Sequence, residues 1–342
     1  MVWQLEWIEV HAVDHCNNCC RWCNNHSVFS AAKEYEAKDY FVWLDELIKR
    51  KIVFHTLSVM GGEPFLHSNI TKFVYELKNR YNKITIITTN GFWLSDSEIV
   101  KYQPLFCMLH DLKITLYPNI VKSLGGMEKI HRLLDRLHAQ HPHLNVRPLP
   151  IENVFRRMDF VDSPLEVDKH CFNAECTCLL ADGRMGRCGP GAFAHLHPNI
   201  PEPFRNSKDM FYDLKTSRDD FWHWRMRWPL DACRYCNHFR SIRSPWKVEK
   251  GHVRQREYEL KYFTDSAYQL LAREQYKEAE ATCLNILEHY SGTKEVYNCL
   301  GILSYKNRQP QAAIHFFNKA LHLDPMYEPA RKNMESLTGS QG

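Results

Sequence analysis

The sequence lacks the features that mark secreted, membrane-spanning and disordered proteins. Its start, Met-Val-Trp-Gln-Leu-Glu-Trp, has no basic segment followed by an apolar run, so no secretory signal is visible. No apolar run approaches the roughly 20 residues that a membrane span needs. A net charge of +4 over 342 residues gives no reason to expect nucleic acid as a partner, and 44% hydrophobic residues argue against disorder. We therefore expect a cytoplasmic protein of about two or three domains.

Cysteine, in contrast, is abundant, with 13 residues. Cys16, Cys20 and Cys23 follow the spacing C-x3-C-x2-C within one loop. Cys19 is a candidate fourth ligand, but its neighbour Cys20 is expected to point elsewhere, and one short loop rarely encloses a cluster alone. Disulfides and buried core thiols are the alternatives, but clustered cysteines in cytosolic chains more often bind metal or do chemistry. Thiolate is the soft ligand that iron–sulfur clusters and zinc prefer, and a closed site needs four protein ligands. Three ligands leave one metal corner open to a substrate or cofactor.

Strand-like and helix-like segments alternate over the first part of the chain. The predicted strands are Leu5 to Val13, Ile52 to Met60, Lys83 to Thr88, Asp111 to Tyr117 and Leu144 to Leu149, and the predicted helices are Ala31 to Lys51, Asn69 to Tyr81, one from Ser95, and Met127 to His138. This alternation predicts an α/β fold with a parallel sheet or barrel, whose site lies at the carboxyl ends of the strands. The cysteines follow the first strand, Gly-Gly-Glu-Pro follows the second and Thr-Thr-Asn-Gly the third. We expect these three loops to rim one mouth.

The cysteine loop after the first strand, combined with Gly61-Gly62-Glu63-Pro64 after the second, resembles the radical S-adenosylmethionine (radical SAM) superfamily. The resemblance implies a partial (β/α)6 barrel in which Cys16, Cys20 and Cys23 hold a four-iron cluster whose free iron is chelated by S-adenosylmethionine. The further cofactor-binding residues that it implies are Gly61 and Gly62 for the methionine amine, Glu63 as support of their loop, Trp22 near the adenine, and Thr89, Asn90, Thr115 and Arg147. The implied reaction is reductive cleavage of the cofactor to a 5′-deoxyadenosyl radical that abstracts hydrogen from the substrate. A one-electron reductant such as flavodoxin or ferredoxin would be a partner.

A second group of cysteines begins at Cys171. Cys178 to Cys188 is typical of a β-hairpin with an Asp-Gly turn, and Cys233-Arg-Tyr-Cys236 offers two thiolates in one small loop. Spacing alone leaves zinc and iron–sulfur open as the occupant of a four-thiolate site. The arrangement resembles the twitch domain, a shortened relative of the SPASM domain, which implies an auxiliary four-iron cluster on Cys171, Cys188, Cys233 and Cys236. Cys176 and Cys178 depart from that pattern and are expected to replace Cys171, to hold a different cluster, or to donate protons or quench radicals.

The last part of the chain has a helical repeat pattern. The residues that carry it are Tyr297, Leu300, Gly301, Ala313, Phe317, Ala320 and Pro325. They resemble a tetratricopeptide repeat (TPR), with a degenerate copy about 34 residues earlier and a capping helix from Met326 to Leu337. A plain helical bundle is the alternative to a unit that binds a peptide or protein. The predicted domains are a radical SAM core at 1–165, a twitch/SPASM-like domain at 166–245 and a TPR-like domain at 255–338.

Three classes of function stay open. The spacing of the second cysteine group is similar to that of radical dehydrogenases that oxidise an aminocyclitol alcohol, so we expect a two-electron oxidation of a small polar alcohol, with the auxiliary cluster as electron acceptor. The second class is a peptide-modifying enzyme that makes an epimer or cross-link and uses the repeats to bind its substrate. We expect no separate leader-peptide recognition domain ahead of the first strand, which weakens that class. The third class is a non-catalytic metal-binding scaffold, which Gly-Gly-Glu-Pro opposes.

Basic and aromatic residues outside these motifs have simpler interpretations. Arg156 and Arg157 are either positioned to reach a polar substrate or form a solvated surface pair. Phe221, Trp224 and Trp228 fall on one helical face and are expected in the core. The basic stretch from Arg240 to Lys261 is expected to be a solvated linker.

Overall fold

The structure is a computed structural model that describes residues 2–150, 155–156, 158–160, 171, 173, 176–217, 221–237, 242–249, 255–290 and 292–339. The chain divides into two compact units: Met1–Leu94 with Tyr102–Gln255, and Ser95–Lys101 with Arg256–Gly342. Within the described ranges, no helix combines the length and the apolar character that crossing a membrane requires.

The strands of the described residues belong to the first unit. They are β1 (Trp3–Val13), β2 (Ile52–Gly61), β3 (Ile84–Thr89), β4 (Asp111–Leu116), β5 (Asn145–Pro150), β6 (Phe155–Arg156), β7 (Cys178–Leu179), β8 (Arg184–Gly186), β9 (Phe211–Asp213) and β10 (Arg243–Ser244). One eight-stranded sheet has the order β5-β4-β3-β2-β1-β7-β8-β9, and β6 pairs with β10. The neighbours from β5 to β1 are parallel, and β7 is parallel to β1. The predicted parallel α/β architecture is confirmed, and it is consistent with a partial barrel.

The helices follow the strands as the predicted βα units require. They are α1 (Lys38–Lys49), α2 (Ile70–Tyr81), α3 (Asp96–Lys101), α4 (Gln103–Phe106), α5 (Pro118–Ser123), α6 (Met127–Gln140), α7 (Gly189–Ala192), α8 (Glu202–Arg205), α9 (Phe221–Met226), α10 (Gln255–Ala272), α11 (Tyr276–His289), α12 (Lys294–Lys306), α13 (Pro310–Leu323) and α14 (Glu328–Gly339). Apolar residues at helical spacing give these helices a buried face. Tyr40, Leu44 and Leu47 of α1 are buried together, and the Asn69 side chain caps α2 by accepting from the backbone N–H of Lys72.

One predicted helix is shorter than its sequence pattern. The helix predicted from Ala31 begins at Lys38, because the preceding residues pair with the end of β1 instead. The N–H of Asp14 donates to the carbonyl of Lys33 at 3.0 Å, and the N–H of Tyr35 donates to the carbonyl of Ala12 at 3.0 Å. These bonds satisfy backbone groups where the strand runs into the cysteine loop.

The predicted hairpin between Cys178 and Cys188 is present as β7 and β8, with Gly183 at φ +89° in its turn. Sequence reasoning assigned this hairpin to a separate domain. In the structure it extends the core sheet, because β7 pairs with β1 through Glu9 and Cys178. Trp43 of α1 anchors the turn by donating from its indole Nε1 to the carbonyl of Ala181 at 2.9 Å. The three-domain division of the chain stays a prediction.

The second unit consists of helices. Its small residues at the predicted repeat positions lie where helices pack closely: Ala313 and Ala320 are fully buried, and a Cβ on Gly301 would lie 2.4 Å from the ring of Phe317. Cys283 and Cys299 are fully buried, as expected of core thiols. Helix α3 belongs to this unit. There Lys101 Nζ donates to buried Glu98 at 3.1 Å and to Ser266 Oγ at 2.9 Å. The assignment of these helices as tetratricopeptide repeats stays a prediction.

Candidate functional site

A cavity of about 440 Å³ lies at the carboxyl ends of β1 to β4 in the first unit. The predicted site residues that line it are Cys16, Cys20, Trp22, Cys23, Gly61, Gly62, Thr89, Asn90 and Thr115. These residues come from the ends of β2, β3 and β4 and from the loops that follow β1, β2 and β3, and the parallel sheet brings them together. The volume falls in the range of small-molecule sites, which is roughly 300–1,000 Å³.

The thiols of the cysteine loop (Cys16, Cys20 and Cys23) lie close enough to influence one another. Burial raises the pKa of Cys16 and of Cys20 strongly, and the neighbouring thiols add to the effect. N–H groups point at the sulfurs: the Asn18 backbone N donates to Cys16 Sγ at 3.3 Å, and Trp246 Nε1 donates to Cys20 Sγ at 3.1 Å. Such donors stabilise thiolates that bind a metal. The set therefore fits three thiolate ligands on one cluster.

The glycine pair after β2 packs directly against the start of the cysteine loop. A Cβ on Gly61 would lie 1.9 Å from the carbonyl oxygen of Val13, and a Cβ on Gly62 would lie 1.9 Å from that of His15. Gly61 also has a φ of +137°, which residues with a side chain rarely adopt. Its carbonyl accepts from Asn25 Nδ2 at 2.7 Å. Only glycine fits at these two positions.

Glu63 lies behind the cavity and does not line it. Its carboxylate accepts from the backbone N of Asn90 at 2.6 Å, from Thr89 Oγ1 at 2.6 Å and from the backbone N of Phe65 at 3.1 Å. Burial raises its pKa to about 7, while these hydrogen bonds favour the charged form. Glu63 thus joins the loop after β2 to the loop after β3, as expected of a supporting residue.

Two aromatic residues frame the cysteine end of the cavity. Trp22 is buried, and its Nε1 donates to Asp159 Oδ1 at 3.2 Å. Tyr117 lies close to the three loop thiols and was missed by the sequence reasoning. The available signal was its position two residues after Thr115, since alternate residues of a strand face the same side.

The segment 242–249 pairs with the cysteine loop through its backbone, while five of its eight residues are exposed, and its interpretation as a solvated linker stays a prediction. The N–H of Arg21 donates to the carbonyl of Lys247 at 3.0 Å, and the N–H of Glu249 donates to the carbonyl of Cys19 at 2.8 Å. This pairing satisfies backbone groups that the loop leaves exposed. It also brings Trp246 to Cys20, and no local sequence pattern signals that contact.

Arg147 is not brought to the cavity. It lies on β5 opposite Lys113, its side chain is 49% exposed, and its Nη2 donates to Asp111 Oδ2 at 2.7 Å. Asp111 is the first residue of β4, so this ion pair lies toward the opposite end of the strands from the cysteine loop. The cofactor role expected for Arg147 has no support from its position.

The second cysteine group (Cys171, Cys188, Cys233 and Cys236) is brought together from distant parts of the chain. Burial raises the pKa of Cys188, and the thiols of Cys236, Cys233 and Cys171 raise it further. Burial also raises the pKa of Cys233 to about 11. Cys188 and Cys233 belong to an apolar cluster with Ala194, Ile200, Phe204, Met210, Leu230 and Ala232. The described part of the chain thus presents four thiols at one apolar site.

Arg187, the residue before Cys188, is a buried cation at this second group. Its Nη1 donates to the carbonyl of Trp224 at 2.5 Å and its Nη2 to the carbonyl of Arg227 at 2.6 Å, while its Nε has no partner among the described residues. Burial lowers its pKa to about 10, and the nearby thiols of Cys188 and Cys233 favour its charged form. Buried charges are costly unless they are compensated. A set of anionic thiolates is the compensation that this position offers.

Cys176 and Cys178 have separate environments. Cys176 lines the cavity, and Cys178 is buried and donates from Sγ to Glu9 Oε2 at 3.1 Å. Glu9 and Arg156 also line the cavity. Arg156 therefore reaches the site rather than forming a surface pair, whereas Arg157 lies outside the described residues. The sequence feature that could have indicated Glu9 as a site residue is its position between the apolar residues Ile8 and Val10 of β1.

Among the described residues, no three Cys, His, Asp or Glu side chains are arranged around a single-ion position. A four-iron cluster does not require that arrangement, because each thiolate binds a different iron atom. Both cysteine groups supply the donor type and number for such a cluster: three thiols at the cavity and four at the apolar site.

Comparisons with known proteins identify part of the chain. Residues 11–113 match the family model of the radical SAM superfamily. Among curated proteins no match was found. Solved structures give weaker likenesses. BtrN in complex with AdoMet and 2-DOIA is 19% identical with a TM-score of 0.46, over 69% of this chain and 94% of that one. SuiB of Streptococcus suis, bound to S-adenosylmethionine, is 15% identical with a TM-score of 0.33, over 70% of each chain.

The structural likenesses carry no conclusion, because their identities and TM-scores are low. The family match runs from the last residues of β1 to the first residues of β4 and includes the cysteine loop and the glycine pair, which line the cavity. The chain therefore carries a radical SAM superfamily domain.

Proposed function

We propose that this protein is a radical SAM enzyme that uses S-adenosylmethionine and two four-iron clusters to oxidise a small polar alcohol by two electrons. Membership of the superfamily implies an enzyme, and the domain match supports the cluster at the cavity. The observation that carries the proposal is the convergence of three loop thiols and the glycine pair on one cavity. When bound there, the cluster supplies the electron that cleaves S-adenosylmethionine to a 5′-deoxyadenosyl radical, which abstracts hydrogen from the substrate.

The residues of the chain prepare the cavity for that chemistry. Cys16, Cys20 and Cys23 would hold the first cluster, and the carbonyls of Gly61 and Gly62 would receive the amine of the methionine. Thr89, Asn90 and Thr115 contribute polar groups to the same wall. Trp22 supplies a buried aromatic surface for the adenine. Because this wall is partly apolar, it limits the contact of a reactive radical with water.

The second cysteine group would hold the auxiliary cluster that accepts the second electron. Four thiols at one apolar site suit a closed cluster, which needs no ligand from outside. Arg187 supports an anionic occupant, since its buried guanidinium lies near Cys188 and Cys233. A flavodoxin or ferredoxin would deliver the first electron to the loop cluster. The protein-binding role of the helical unit stays a proposal.

The test separates cofactor cleavage from turnover. Cys233→Ala with Cys236→Ala should remove about four of about eight irons per chain, leave S-adenosylmethionine cleavage intact and stop formation of product. Iron and sulfide are counted on anaerobically reconstituted protein, and 5′-deoxyadenosine and product are measured by mass spectrometry. 2-Deoxy-scyllo-inosamine and related amino alcohols serve as probes for a loss of two hydrogens. Cys107→Ala, an exposed cysteine outside both groups, is the control.

Two outcomes would contradict the proposal. Normal turnover by the Cys233/Cys236 variant would exclude the second group as the electron acceptor. A mass change on a candidate peptide without oxidation of any amino alcohol would instead favour a peptide-modifying enzyme.

A further inference from the structure

Glu9 is an acidic residue of the cavity that the cofactor-binding roles do not use. It lines the same cavity as the loop thiols and the glycine pair, and it is the only Asp or Glu among the described residues that do so. It lies in the middle of β1, seven positions before Cys16, so it belongs to the interior wall rather than to the cysteine loop. A carboxylate on that wall faces the space in which a substrate would bind.

The surroundings of Glu9 hold its carboxylate in place. Cys178 on the neighbouring strand β7 donates from Sγ to Glu9 Oε2 at 3.1 Å, and the backbone N–H of Glu9 donates to the carbonyl of Thr177 at 2.8 Å. Burial raises the pKa of Cys178 strongly, so this thiol keeps its proton and stays a donor. The hydrogen bond from Cys178 therefore holds one oxygen of the Glu9 carboxylate in place.

The side chains that act on the Glu9 carboxylate come from three strands. Cys178 on β7, His11 on β1 and Lys113 on β4 all favour its charged form, but burial outweighs them and raises its pKa. A carboxylate with a raised pKa is a better proton acceptor than an exposed one near neutral pH. Arg156 at the same cavity supplies a cation that can orient a polar substrate.

We propose that Glu9 is the base that accepts the hydroxyl proton of the substrate during its oxidation; this inference rests on the proposed function. Removal of a hydrogen atom from the carbinol carbon leaves a carbon radical that still bears the hydroxyl group. The O–H bond then breaks, with the proton passing to Glu9 and one electron passing to the auxiliary cluster. The C–O bond becomes a carbonyl, and the substrate has lost two hydrogens in total. Glu9 ends as a carboxylic acid and returns its proton to solvent.

The experiment compares Glu9→Gln with the wild type, using 2-deoxy-scyllo-inosamine and related amino alcohols as probes. General-base catalysis contributes roughly 10²–10⁴-fold, so we expect ketone formation to fall by at least about 100-fold. Substrate-dependent 5′-deoxyadenosine should persist, because hydrogen abstraction precedes the proton transfer, and KM should change by less than about three-fold. Glu9→Asp should recover part of the rate. The control is Glu6→Gln, which changes an exposed carboxylate of the same strand.

The pH profile adds a readout that a structural role would not change. The base must be ionised to accept a proton, so wild-type ketone formation should rise as pH increases through the raised pKa of Glu9. That rise should be absent in Glu9→Gln.

A further readout needs neither cluster nor substrate. A carboxyl whose folded pKa is raised above its unfolded value destabilises the fold as pH rises between the two values. Urea unfolding of the apo protein should therefore lose less stability with rising pH in Glu9→Gln than in the wild type.

The possible results are distinguishable. Ketone formation by Glu9→Gln at the wild-type rate would overturn the assignment of Glu9 alone. An increase in KM with an unchanged kcat would assign Glu9 to substrate binding and would also overturn it. Failure of the wild type to remove two hydrogens from any probe would overturn the proposed function, and the role of Glu9 with it.

Discussion

The two cysteine groups of the first unit differ in ligand number, surroundings and charge. The loop group has three thiols, and it shares a cavity with the polar side chains of Asn90, Thr89 and Thr115. The second group has four thiols, two of which lie in an apolar cluster. A metal centre with too few protein ligands takes one from outside, whereas a centre with a full set does not. Ligand number alone thus separates a candidate site of reaction from a candidate site of electron storage.

Two charged side chains of opposite sign, one at each group, act on the thiols. The carboxylate of Glu63 lies close enough to raise the pKa of Cys16, whereas the guanidinium of Arg187 favours ionisation of the Cys188 and Cys233 thiols. A nearby negative charge lowers the reduction potential of a cluster and a nearby positive charge raises it. If both groups hold clusters, the loop cluster is biased toward giving an electron and the second cluster toward taking one. That is the direction which the proposed oxidation requires.

Removing the loop thiols is expected to have the largest effect. Cys16→Ala, Cys20→Ala and Cys23→Ala together should lower the iron content from about eight to about four per chain and should abolish cleavage of S-adenosylmethionine. Iron analysis and 5′-deoxyadenosine measurement check this result. Cys19→Ala, which changes a buried cysteine of the same loop, should keep both. Retention of cleavage by the triple variant would remove the distinction between the two groups.

Replacing Arg187 should weaken the second group selectively. Arg187→Met leaves the carbonyls of Trp224 and Arg227 without their donors, at a cost of about 1–3 kcal/mol for each unsatisfied group. The loss of positive charge should also lower the reduction potential of the second cluster. Urea unfolding and a redox titration followed by electron paramagnetic resonance measure the two effects. Arg184→Met, on the same hairpin but in an exposed ion pair with Asp182, should change stability by less than about 1 kcal/mol. An unchanged potential in Arg187→Met would contradict the opposite-charge comparison.

Replacing Glu63 should have the smallest effect, seen as a change in pH dependence. Its pKa is about 7 in the folded protein against an ordinary value of 4.5. Because the folded pKa is the higher, wild-type stability should fall as pH rises from about 4.5 to about 7, by an amount on the order of 3 kcal/mol. In Glu63→Gln the free energy of unfolding should no longer fall over this pH range. In Glu36→Gln, which changes an exposed carboxylate, it should fall as in the wild type. A variant with the wild-type pH dependence would show that Glu63 is not held in a raised-pKa state.

Much of the first unit could be predicted because its signals are local. The strands of the parallel set agree with the predicted bounds to within two residues, since each is a short apolar run followed by a turn motif. The convergence of the loops at one mouth follows from parallel topology alone, which is why nine predicted residues line the cavity.

The features that were missed depend on contacts between distant residues. Trp246 approaches Cys20 across more than 200 positions, and no periodicity marks that pairing. Arg147 has the residue type and strand expected of a cofactor contact, but Asp111 on the adjacent strand binds it instead. The helix predicted from Ala31 lost its first part because unpaired backbone at the end of β1 competed for the same residues.

The pairing of residues 242–249 with the cysteine loop has a consequence for how this protein can change in evolution. The part that matches the superfamily ends at residue 113, yet backbone partners of its own loop come from more than 100 residues beyond that limit. A gene that exchanged the sequence after residue 113 for another would leave that loop uncovered. The cysteine loop therefore depends on a segment far outside the part that matches the superfamily.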